Sequence, residues 1–152
     1  MEELLKKQNE IIKGIESRYA EENYTESNPL IVLNPFDTCP LSALMKFQTE
    51  EECSVTIFIE EDIEKEFKEL KKDHEIPILG LIEDKDNCIR FICNYEGNRK
   101  EEFVYYIKTS KLPEGYPNIE LITCDESNMY DGMIAMSLGR AEGVRTVEHL
   151  YS

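Results

Sequence analysis

The sequence predicts a mainly β protein, an antiparallel sandwich of short strands behind a single N-terminal amphipathic α-helix. Three observations predict it. Apolar residues recur at steps of three and four over residues 2–22, then at steps of two over most of 29–110. Proline, glycine, asparagine and acidic clusters cut that second region into pieces of strand length. Hydrophobic residues make up 41% of the 152, enough to bury one substantial core without a disulfide staple.

The helix is carried by Leu4, Leu5, Gln8, Ile11, Ile12, Ile15 and Tyr19, with Lys6, Lys7, Glu10, Lys13 and Glu16 opposite. Gly14 costs it up to about 1 kcal/mol against alanine, so packing has to hold it. Leu5, Ile12 and Tyr19 stand seven apart, as in a coiled-coil seam. Two readings stay open: the helix covers an edge of its own domain, or this seam makes a homodimer contact. Asn28-Pro29 ends the helical tendency after a polar connector.

From Pro29 the period is two. Leu30 to Leu33 is a short strand closed by the turn Asn34 to Thr38. Leu41, Ala43, Met45 and Phe47 form one inward face, and Cys53, Val55, Ile57 and Ile59 another; the acidic corner Glu50-Glu51-Glu52 between them reads as a hairpin turn. Residues 60–73 are ambiguous. Ile63, Phe67 and Leu70 have helical spacing, yet their charged neighbours would also protect a sheet edge. Pro77 cannot donate to a ladder, so the next strand is an edge or bulges there, and Gly80 allows a bend. Ile89, Phe91 and Cys93 share a face, Tyr95 to Arg99 makes a turn, and Phe103, Tyr105 and Ile107 return. The count to Ser110 is about seven strands, the spacing of an immunoglobulin-like sandwich. Three parts follow: 1–27 helix and connector, 28–110 sandwich, and 111–152 a proline-containing linker with the start of a further domain.

Acidic residues number 32 against 17 basic ones, for a formal charge of −15. Such a surface repels nucleic acid and anionic lipid. No apolar run approaches the ~20 residues of a membrane span, and Met1-Glu2-Glu3 leads into a charged stretch instead of a signal sequence. Five irregularly spaced cysteines fit reduced thiols in a cytoplasm.

Two clusters carry a resemblance. Asn34-Pro35-Phe36, Cys39-Pro40-Leu41-Ser42-Ala43-Leu44 and Phe47-Gln48-Thr49-Glu50 resemble the Asn-Pro-Tyr, Ser-Pro-Leu-Thr-Ala-Leu and Phe-Glu-Thr signature near the start of aryl-sulfate sulfotransferases. His74-Glu75-Ile76-Pro77-Ile78-Leu79-Gly80-Leu81 is similar to the His-Glu-Ile-Pro-Val-Leu-Gly-Leu segment of that family, and the Leu112 to Pro117 stretch resembles its exit from the N-terminal domain. The resemblance runs from Met1 to about Ile122. It implies an immunoglobulin-like N-terminal domain, and it favours a short edge strand around Phe67. It also implies a catalytic β-propeller partner, whose histidine carries a sulfuryl group from an aryl sulfate to a phenol. None of the propeller motifs occurs in this sequence, so the chain is expected to be truncated before that domain and inactive by itself.

The residues agree with that expectation. Sulfuryl transfer needs a nucleophile with cationic donors around the developing charge. His74 stands between Asp73 and Glu75 and reads as a structural histidine at a strand entrance, and His149 lies near the terminus. Cys88 and Cys93 are an odd step apart and face opposite ways, while Cys53 and Cys93 suit core filling. Asp84 to Asn87 lacks the glycine and glutamate of a calcium loop. No catalytic, cofactor-binding or metal-ligating residue is assigned. The competing reading is a free-standing immunoglobulin-like module for protein binding or oligomerisation, without an enzymatic link.

Overall fold

The computed structural model describes residues 2–114. The strand expected at 118–124, the stretch after it and His149 lie outside the described residues, as does the end of the proline linker. Helix α1 spans Glu2–Glu21. Five strands follow: β1 Leu30–Leu33, β2 Ser42–Ile59, β3 Ile63–Leu79, β4 Asp86–Tyr95 and β5 Lys100–Lys108. One compact unit ends at Leu112.

Every strand pairing is antiparallel, and β2 is the spine. Its first half, near Ala43–Lys46, pairs with β1, its second half, Cys53–Ile59, pairs with β4, and β3 runs along both. β5 closes the far side against β4. Between the Gln48–Asp73 and Cys53–Lys71 pairs, β2 advances five residues while β3 advances two; between Cys53 and Val55 the slack passes to β3. These bulges let the two-stranded ribbon fold back on itself. Each half then contributes one inner face to a single core, where Phe47 of the first meets Phe91 of the second with ring centroids 5.2 Å apart. Ala43, Met45, Ile76 and Ile78 pack from one side, and Val55, Ile57, Ile89 and Phe91 from the other. The strand parities read from the sequence are the ones observed. Counted by halves, β2 and β3 supply four of the seven expected segments.

Two expectations need correction or choice. Glu50–Glu52 is no hairpin turn: β2 continues through it. The step from Phe47 to Cys53 is even, so an extended chain keeps both residues inward, and three glutamates lack the residues a tight turn demands. Buried Thr49 instead bonds the Glu51 carbonyl at 2.8 Å and shapes the bulge. Within the ambiguous 60–73 stretch, residues 63–73 are strand, not helix, and they lie at the sheet edge, where Lys65, Lys68 and Lys71 guard it. The reversal before them is Ile59–Asp62, with Glu60 and Glu61 both at positive φ and the Asp62 N–H donating to the Ile59 carbonyl at 3.2 Å. That is a primed hairpin turn without its usual glycine. The edge position also explains how β3 tolerates Pro77 opposite Leu44.

Helix α1 lies on the outer face of the β1–β2 half. Ile15, with Ile11 and Tyr19, packs on Tyr24, Leu30, Val32 and Leu44 in a second, smaller core. Lys46 rises between them, only 5% exposed, and its ammonium bonds Glu16 at 2.6 Å and Glu75 at 2.9 Å. Burial works against that charge, but the two carboxylates outweigh it and hold the ammonium above its ordinary pKa.

Candidate functional site

The β2–β3 register puts His74 opposite Phe47, and the bulge carries Cys53 round to the same place. The imidazole stacks on Phe47 with centroids 4.8 Å apart, and its Nε2 lies 3.4 Å from both Thr49 Oγ1 and Cys53 Sγ. A cysteine beside a histidine is the layout of an activated thiol nucleophile. Here the electrostatics run the other way. Burial pushes the Cys53 thiol up and, with Lys71 adding to the effect, pushes the His74 imidazole down, so both groups stay neutral. Neighbouring Cys93 is raised still further, again by burial. His74 is 1% exposed and Cys53 and Cys93 are sealed, so no substrate reaches the pair. This cluster is core, and His74 sits within β3 instead of at a strand entrance.

The depressed imidazole has a measurable consequence. Below about pH 6.5 the unfolded chain takes up a proton that folded His74 refuses, so its contribution to stability is present above that pH and falls away as the pH drops. Unfolding midpoints in urea should therefore fall between about pH 7 and pH 5.5, and the slope should flatten in His74→Gln. An unchanged slope in that variant would assign the effect to other groups.

The second built feature is the loop end. Asn87, fully buried, holds Nδ2 within hydrogen-bond distance of the carbonyls of Ile82 (3.0 Å), Lys85 (3.1 Å) and Ile107 (3.2 Å) and of Thr109 Oγ1 (3.2 Å), and shares its two protons among these acceptors. Its Oδ1 accepts the Ile82 N–H at 2.6 Å. Thus Asp84 to Asn87 is a turn anchored by its last residue. Glu60 is fixed by the Lys85 ammonium and by the Cys88 N–H, and these donors hold its carboxyl below the usual range. Among the described residues no three histidine, cysteine or acidic side chains come together to hold a metal ion, and no helix is long and apolar enough to cross a membrane.

The signature residues turn out to build this end as well. Asn34, at φ +46°, accepts the Cys39 N–H on its side chain at 2.9 Å, and the Ser42 hydroxyl donates to the Cys39 carbonyl at 2.7 Å. Gly80, at φ +92°, ends β3, and the Leu81 N–H bonds the Leu41 carbonyl at 3.2 Å. A family model described as the arylsulfotransferase Ig-like domain matches residues 30–110. The chain belongs to that family. No curated protein and no solved structure matches the sequence.

The matched Ig-like domain thus covers all five strands and leaves α1 outside it. Of the seam residues on that helix, Leu5 and Ile12 are 54% and 44% exposed. Tyr19 is turned to the Ig-like domain, stacked on Tyr24 with its hydroxyl donating to Asp73 at 2.8 Å. The sequence reading missed three elements: the Cys53–His74 contact, the Asn87 anchor and buried Lys46. Asn87 shares parity with Ile89 and Phe91, so its inward direction was available. Lys46 lies on the outward parity of β2, and only the helix above it makes that face an interior.

Proposed function

We propose that this chain is a non-catalytic Ig-like domain that packs against the catalytic β-propeller of its family and contributes at most to the rim of that site. One observation carries the reading: the histidine–thiol pair among the described residues is sealed and uncharged, while the surface is strongly acidic. Sulfuryl transfer needs the reverse, an accessible nucleophile among cations. In an assay of transfer from a chromogenic aryl sulfate to phenol, the chain alone should give no turnover above buffer. Turnover that is lost in His74→Gln would overturn the division of labour. Co-elution with a separately produced propeller domain of the family supports the packing role. The same reading keeps the chain in the cytoplasm, on the strength of its five cysteines.

A second reading is favoured by the exposure of Leu5 and Ile12, an apolar pair on one flank of α1. There the helix joins two copies of a free-standing module. Sedimentation decides it: a dimer that Ile12→Glu converts to monomer supports this reading, and a monomer at every accessible concentration sinks it.

A further inference from the structure

The three loops β1–β2, β2–β3 and β3–β4 gather at one end of the sandwich. Leu81 joins the first to the third, the Lys85–Glu60 ion pair joins the third to the second, and Gly80 lies against Ile63 at the start of β3. Four large apolar side chains are left open around this end: Leu33 (39%) and Ile63 (42%) on the inner-face parity, Leu79 (61%) on the outer-face parity, and Ile82 (45%) in the loop between β3 and β4. Their loops are fixed by the Asn87, Asn34 and Glu60 hydrogen bonds described above. They also hold most of the positive-φ backbone among the described residues, at Asn34, Asp37, Glu60, Glu61, Gly80 and Asp84. At the five positions that are not glycine, such backbone persists because the surrounding structure holds it.

The charge around the patch says what fits it. Glu61 and Asp62 directly precede Ile63, and neither has an ion-pair partner among the described residues, while Asp37 in the β1–β2 loop is met by Lys7 at 3.6 Å. Glu83 and Asp84 follow Ile82 directly, with Lys111 3.7 Å from Asp84, while Lys85 is engaged by Glu60. A second copy would bring acid against acid. We infer that this loop end is a docking face for a protein surface with an apolar centre and a lysine- or arginine-rich rim. The inference rests on the reading of the chain as a protein-contacting domain and names the face that makes the contact.

The test uses the full chain, 15N-labelled, titrated with a synthetic leucine–lysine peptide whose leucines form one stripe. A lysine-only peptide of equal charge is the comparison. The leucine–lysine peptide should shift amides centred on Leu33, Ile63, Leu79 and Ile82, with affinity that falls as salt is added. The exposed double variant Leu79→Ser, Ile82→Ser should keep the parent amide spectrum elsewhere and bind at least about tenfold more weakly. Val104→Ser with Tyr106→Ser, on the outer sheet face, should bind as the parent does. Shifts centred on Val104 and Tyr106 or on Leu5 and Ile12 would overturn the assignment. So would equal binding of the lysine-only peptide, or concentration-dependent self-association through this end. An inactive chain that maps the peptide elsewhere loses this inference alone, whereas one that binds here and also turns over aryl sulfate loses the proposed function alone.

Discussion

Asn87→Ala is expected to cost the domain on the order of 4 kcal/mol, a large share of the roughly 5–15 kcal/mol that a small domain has. The side chain removed is fully buried and engages the carbonyls of Ile82, Lys85 and Ile107 together with Thr109 Oγ1. Truncation leaves these acceptors, and the Ile82 N–H, without their partner in an interior closed to bulk water. Asn87→Asp should do little better, since it keeps the acceptor for Ile82 but turns a carboxylate on three carbonyls. Urea unfolding gives the number, and amide exchange should show residues 80–85 opening before β4 does. A loss under about 1 kcal/mol would mean that water takes over the anchor's role.

Gly80→Ala is the second large effect, at about 2–3 kcal/mol. Two costs combine there. An alanine at φ +92° is strained whatever the space around it; its Cβ would also lie 2.6 Å from Ile63 Cδ1, but that is the tip of an exposed side chain that can turn aside at little cost, so the backbone carries most of the loss. The terms separate by comparison. Gly97 is also at positive φ, +71°, but nothing stands within 4 Å of its missing Cβ, so Gly97→Ala should cost only about 1 kcal/mol. Adding Ile63→Val, which deletes the Cδ1 atom, should return only a small part of the Gly80→Ala loss and leave the backbone part. Equal thermal unfolding of Gly80→Ala and the parent would remove the backbone strain at Gly80 from the account.

These two residues mark how far the sequence could be read. Parity placed Ala43, Met45, Phe47, Val55, Ile57, Ile89 and Phe91 inward, because alternation is a local property of extended chain. Gly80 announced a bend by its type. What it bends against depends on where the ribbon folds, and that is set by bulges of opposite sense in β2 and β3 that no single window of sequence displays. The same bulges hid the Cys53–His74 contact. Residues 60–73 misled through Ile63, Phe67 and Leu70, whose helical spacing is incidental: Phe67 packs on the core, while Ile63 and Leu70 are exposed at the sheet edge. Of the candidate seam, the heptad spacing of Leu5, Ile12 and Tyr19 was plain, but Tyr19 found its partners 54 residues away at Asp73 and nearby at Tyr24.

The folded β2–β3 ribbon also bears on how the chain reaches its structure. Its turn at Glu60 and Glu61 joins neighbours in sequence, and so does the β4–β5 turn at Gly97 and Asn98. Two hairpins can therefore close early with little loop entropy lost. The doubling back of the first hairpin and the landing of β4 beside Cys53–Ile59 come after, and both draw on the same strand. Neither half of the sandwich has a spine of its own, so unfolding should be a single transition with no half-structured species populated between the ends.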